Sequence, residues 1–131
     1  MTAALLTVMR YLFPDCRSAE ASRFRREFRA VEKRLGPFDA VALHYAAGTV
    51  VFGIEFQTAT AAVQRAQDAR TNGKGRRPTA AAVERLKRRQ GLSWQSYDSA
   101  MRRLEELTRT NKRGGLASYL AGRAKQQGGV A

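Results

Sequence analysis

PTAAAVERLKRRQGLSWQSYDSAMRRLEEL, residues 78–107, places apolar and basic positions at helical spacing on either side of one glycine. It predicts a helix, a short turn and a second helix. Ala82, Val83 and Leu86 form the buried side of the first helix, and Arg85, Lys87, Arg88 and Arg89 crowd the rest. Gly91-Leu92-Ser93 is expected to make the turn. Glycine tolerates a positive φ, Leu92 can drop between the helices, and serine is a good N-cap for the helix that follows. Trp94, Tyr97, Met101 and Leu104 then recur at i, i+3, i+7 and i+10, one apolar stripe with Trp94 and Tyr97 as core aromatics. This is the pattern of a helix-turn-helix, a module that lays its second helix in the DNA major groove.

The outward face of that second helix holds Gln95, Ser96, Ser99, Arg102 and Arg103. Gln and Arg pair bidentately with adenine and guanine edges, and Ser contacts bases or phosphates less selectively. Gln95, Ser96, Ser99 and Arg103 are therefore the expected readers. Arg109, Lys112 and Arg113 follow in TRTNKRGG, a basic glycine-containing stretch with the composition of a wing that grips the flanking backbone. Lys74, Arg76 and Arg77, in the loop before the motif, join Arg88 and Arg89 as expected phosphate contacts.

Charge points the same way. Residues 71–131 carry 14 Lys and Arg against 4 Asp and Glu, whereas residues 1–70 carry 10 against 7. Most of the chain's +13 thus sits in the second half. A pI near 11.2 implies a polyanionic partner, nucleic acid before an anionic membrane surface.

At 131 residues and 44% hydrophobic content the chain is long and apolar enough for one domain with a real core. The N-terminal run AALLTVMRYLF is interrupted by Arg10 and too short to span a bilayer, so it is expected to be a core helix with Leu5, Met9 and Leu12 on one stripe. A second helix should run from about Ser18 to Leu35, with Phe24, Phe28, Val31 and Leu35 on its buried face, and stop at Gly36-Pro37. Asp39 should cap a short helix ending at Gly48, and a long helix should follow from about Thr49 to Ala69 through the β-branched run TVVFGIEF. TNGKGRRP, residues 71–78, has no core and no period and is expected to be a flexible basic loop. Thr79 should cap the next helix. The tail QQGGVA should fray.

Nothing in the chain composes an enzyme. His44 is the one histidine, set among small and apolar residues in ALHYAAG, where a packed histidine is expected. Cys16 is the one cysteine, which leaves no internal disulfide and no CxxC site, and suits a reducing compartment. No Ser/His/Asp set, P-loop or dinucleotide fingerprint appears, and adjacent Glu105 and Glu106 diverge on a helix. No catalytic residue, metal or cofactor is expected.

GRRPTAAAVERL, with Arg77, Pro78, Thr79, Val83 and Leu86, resembles the N-terminal DNA-binding module of the KfrA-type plasmid proteins, in which an Arg-Pro-Thr segment leads into a valine-centred helix. The resemblance covers about thirty residues. It departs from the family at RRQGLSW and in the long coiled coil that follows there. It implies DNA binding on a plasmid or another mobile element.

The expected architecture is an all-α small helical bundle, with a helix-turn-helix, winged or not, in the C-terminal half. Residues 1–70 would be a helical support, dimerisation or interaction half, residues 71–78 a loop, and residues 79–131 the basic binding half. The expected function is cytoplasmic DNA binding as a regulator or accessory protein of a plasmid, phage or mobile element. Duplex DNA is the first partner, RNA or a single strand the second, with a homodimer or a larger complex in prospect and no membrane. The rival expectation is a small basic helical subunit of a ribonucleoprotein, like the small subunit of a CRISPR effector complex. Such a subunit guides a strand without reading bases, here with Arg23, Arg26, Arg29 and Lys33 as well. A phage or plasmid inhibitor that docks on another protein is the third.

Overall fold

A computed structural model describes residues 3–15, 17–72 and 76–112. The described residues are all-helical. Four helices follow in order: α1 (Ala3–Leu12), α2 (Ala19–Leu35), α3 (Ala40–Asn72) and α4 (Ala80–Lys112). The two long ones form an antiparallel hairpin. At 1.5 Å per residue, 33 residues make each about 50 Å long. α1 and α2 pack on α3, and α4 runs along it.

Asp39 and Thr79 cap helices as expected, and Ser18, the expected start of the second helix, caps it. The Ser18 hydroxyl accepts from the Ala21 amide at 3.1 Å, the Asp39 carboxylate from Ala42 at 2.7 Å, and the Thr79 hydroxyl from Ala82 at 3.1 Å. Each satisfies one of the orphan amides of a helix start. α2 ends at Gly36, whose amide bonds the Glu32 carbonyl, and the Gly36-Pro37 peptide is cis.

The core lies between α1, α2 and the first half of α3. Leu5 and Met9 meet Phe24 and Phe28 of α2 and Leu43, Ala46, Ala47 and Val50 of α3. Phe13, Phe24, Phe28 and Phe38 form a chain of ring contacts with centroids 5.3–5.9 Å apart. Phe24 and Phe28 are fully buried, and burial of a phenylalanine contributes about 1.5–3 kcal/mol. α3 also contains a stretch long and apolar enough to cross a membrane. In this fold α1, α2 and α4 all pack on it.

Two helices are longer than their glycines suggest. α3 runs unbroken through Gly48 and Gly53, so the expected stop at Gly48 is absent. α4 runs unbroken through Gly91-Leu92-Ser93, so the expected turn between two helices is absent too. The cause is the same. A helical glycine costs about 1 kcal/mol against alanine, and packing on a long partner outweighs that. On α4 the positions facing α3 are Val83, Leu86, Gln90, Trp94, Tyr97, Met101, Leu104 and Thr108. They step by three or four residues throughout and do not break at Gly91.

Other expectations shift with it. Ser93 lies inside a helix and caps nothing, and Leu92 is 65% exposed on the side away from α3. α4 continues to Lys112, so Arg109 and Lys112 belong to a helix and not to a wing, and no strand occurs among the described residues. α3 extends to Asn72, which shortens the interhelical loop from its front. Cys16, Lys74, Arg113 and the tail QQGGVA lie outside the described residues.

Candidate nucleic-acid interface

A helical hairpin joins the end of α3 to the start of α4, so their charges gather at one end. Residues 65–89 hold nine Lys and Arg against two acids, Asp68 and Glu84. That surplus of seven is over half the chain's +13, and all of these residues but Lys74, which lies outside the described residues, are placed toward the closed end of the hairpin. Arg65, Arg70, Arg76, Arg77, Arg85, Arg88 and Arg89 are all exposed there. The two acids do little to offset them. Glu84 pairs with Lys87 at 3.8 Å, and Asp68 accepts from Gln64 at 3.0 Å. The seven arginines form no ion pair with any described residue. Dense, solvated and unneutralised guanidinium groups suit a polyanion with regularly spaced charges.

The expected readers lie farther along α4. Gln95, Ser96, Ser99, Arg102 and Arg103 are all exposed, as the sequence suggests. They do not form one uniform face. Arg102 is tied to Asp98 by a 3.2 Å salt bridge. Ser96, Ser99 and Arg103 turn toward α3 and line a groove of about 470 Å³ with His44, Tyr45 and Phe52. The Arg103 guanidinium lies over the Tyr45 ring, 5.7 Å from its centroid. Arg109 is exposed in the last turns of α4, at the opposite end from the basic cluster.

The expectations for His44 and Trp94 change. His44 is exposed although Leu43 and Ala47 beside it on α3 are buried, and it belongs to the groove wall, not to the core. Trp94 is 46% exposed. It packs in tilted geometry on Phe56 and Tyr97, with centroids 5.1 and 5.9 Å away, at the flank of the α3–α4 seam instead of its centre. The reason is angular. Trp94 lies at the margin of the stripe that Val83, Met101 and Leu104 centre, so only part of the indole fits between the helices. Phe52 is 37% exposed and lines the groove.

The basic residues of α2 form a separate set. Arg23 donates to Gln57 at 2.6 Å, while Arg26, Arg29 and Lys33 are exposed. Gln57 lies fifteen residues before the end of α3, about 22 Å from the hairpin tip. Arg34 reaches α4, with the Met101 sulfur at 3.0 Å and Glu105 at 3.7 Å, and helps hold α4 against α2.

Sequence reasoning missed Arg65, Arg70, His44, Tyr45 and Phe52. The first two were findable, because a hairpin must bring the end of one helix beside the start of the next. The others required the register of α3 against α4. No group of three or more His, Cys, Asp or Glu able to hold a metal occurs among the described residues. No family model matches the chain, and no curated protein or solved structure does either; of the about thirty residues that resemble the KfrA-type module, the Gly-Ser turn is absent from the continuous α4.

Proposed function

We propose that this protein binds nucleic acid by its phosphate backbone, through the basic closed end of the α3–α4 hairpin, as an accessory or scaffolding protein without catalytic activity. The observation that carries the proposal is the cluster Arg65, Arg70, Arg76, Arg77, Arg85, Arg88 and Arg89, exposed and without acidic partners among the described residues. Phosphates on one strand recur regularly, and several arginines near one end of the hairpin can meet several of them together.

This differs from a sequence-reading helix-turn-helix. Helix-turn-helix docking needs a second helix set off from the first by a turn, and α4 has no turn at 91–93. A continuous hairpin with a charged tip favours the grip of a strand or duplex irrespective of sequence, as in the ribonucleoprotein-subunit alternative. The cytoplasm and a mobile element remain the proposed setting. The test is binding to labelled random duplex and single-stranded DNA over a salt series. A steep fall in affinity with salt supports the proposal, and a slope near zero refutes it.

A further inference from the structure

We propose that the groove between α3 and α4 receives an unpaired base of a single strand held at the hairpin tip; this rests on the nucleic-acid reading above and adds the preferred substrate. Three observations converge. The groove holds about 470 Å³ and is lined by the rings of Tyr45 and Phe52, the hydroxyls of Ser96 and Ser99, His44 and Arg103. No carboxylate among the described residues lines it, in a chain of net charge +13. Phe52 and Tyr45 are 37% and 38% exposed, large apolar surfaces left open beside a cation.

That chemistry matches a nucleotide in parts. A base offers a π-face to an aromatic ring, and base–aromatic stacking tolerates any sequence because every base has such a face. Its edge offers donors and acceptors to hydroxyl and imidazole groups. Its phosphate suits a guanidinium at the rim, and the contact between Arg103 and the Tyr45 ring holds that guanidinium at the groove. A paired base cannot enter, since both its faces are stacked and its edge is engaged. The groove therefore selects single strands.

The groove and the tip lie on one path. Arg89 lines a neighbouring depression on the same flank of α4, with Leu86 and Ser93, and Glu55 of α3 is the one carboxylate in its lining. From Arg89 to Arg103 is fourteen residues, about 21 Å along the helix. An extended strand gripped at the tip crosses that distance in a few nucleotides.

The test is fluorescence anisotropy with a labelled oligothymidine of about 12 nucleotides, within the ~4–16 typical of single-strand sites, and with a random duplex. Phe52→Ala should weaken single-strand binding roughly 5- to 100-fold and leave duplex binding within about twofold. Phe52→Leu keeps the bulk, removes the aromatic face and should do the same, which guards against a folding loss. Arg77→Ala should weaken both ligands. If Phe52→Leu leaves single-strand affinity unchanged while Arg77→Ala weakens both, the groove proposal is overturned and the tip survives. If neither variant changes either affinity, both fail. Sedimentation of the protein alone gives the remaining outcome. A dimer that Phe52→Leu dissociates would assign the groove to a second copy of the chain and overturn the proposal.

Discussion

A Cβ built on Gly53 would stand 3.0 Å from Cε2 of Tyr97 and 3.3 Å from its Cδ2. The two long helices meet here with a tyrosine ring laid on bare backbone. Alanine would gain about 0.8–1 kcal/mol of helix propensity over glycine, but the ring must shift to admit the methyl. Gly48 has nothing within 4 Å of the same position. Gly48→Ala should therefore raise stability by about 0.5–1 kcal/mol, while Gly53→Ala raises it less or lowers it, and Gly53→Val lowers it by roughly 1–3 kcal/mol. Urea denaturation of the three variants gives the ranking. Equal gains at Gly48 and Gly53 would mean that Tyr97 does not lie on Gly53.

Gly91 tests the continuity of α4. It lies mid-helix and exposed, without a positive φ, and a methyl added there would meet nothing within 4 Å. Gly91→Ala should stabilise by about 0.5–1 kcal/mol through propensity and through the unfolded chain. At a turn with positive φ the same change would destabilise. The sign of the shift in the urea midpoint separates one long helix from two.

Burial separates two aromatic residues that look alike in sequence. Phe24 is fully buried, whereas Trp94 is 46% exposed. Phe24→Ala should cost about 3–5 kcal/mol, the range for emptying a large core site. Trp94→Ala leaves a gap that water reaches, so it should cost less than half as much. As the one tryptophan, Trp94 also reports directly. Its fluorescence should be quenched by iodide in the folded protein, and full protection would put the indole in the core.

How far the fold was legible follows from the range of each signal. Ser18, Asp39 and Thr79 mark helix starts by local hydrogen bonding, so their roles could be read without any partner helix. The Phe24–Phe28 stripe was equally plain, because an amphipathic period needs one element alone. Gly48 and Gly91 misled because their local cost is real but small against packing on a neighbour that local sequence does not reveal. The unbroken steps from Val83 to Thr108 carried the right answer. The basic tip was half visible as charge, and it became a cluster only when α3 and α4 were joined as a hairpin. The groove was invisible, since Tyr45 and Arg103 come together only through the register of two long helices.

Gripping and reading have different signatures in salt and sequence. Arg77 and Arg88 are exposed at the hairpin tip, and Gln95 is exposed on α4. If the tip contacts phosphates, the log–log slope of affinity against salt on duplex DNA should be near −0.9 per contact, with on the order of 4–8 contacts per protomer. Arg77→Ala and Arg88→Ala should each make that slope shallower by about one and weaken every duplex alike. Gln95→Ala decides whether any base is read. Gln95 lies beyond the basic tip that is proposed to make the grip, so its loss should change affinity equally, and little, on any two duplexes. A reader would lose about 1–3 kcal/mol on one duplex and far less on the other. Competition between a panel of duplexes at one salt concentration makes the comparison. A selective loss for Gln95→Ala would restore base reading by α4 and overturn the purely electrostatic grip.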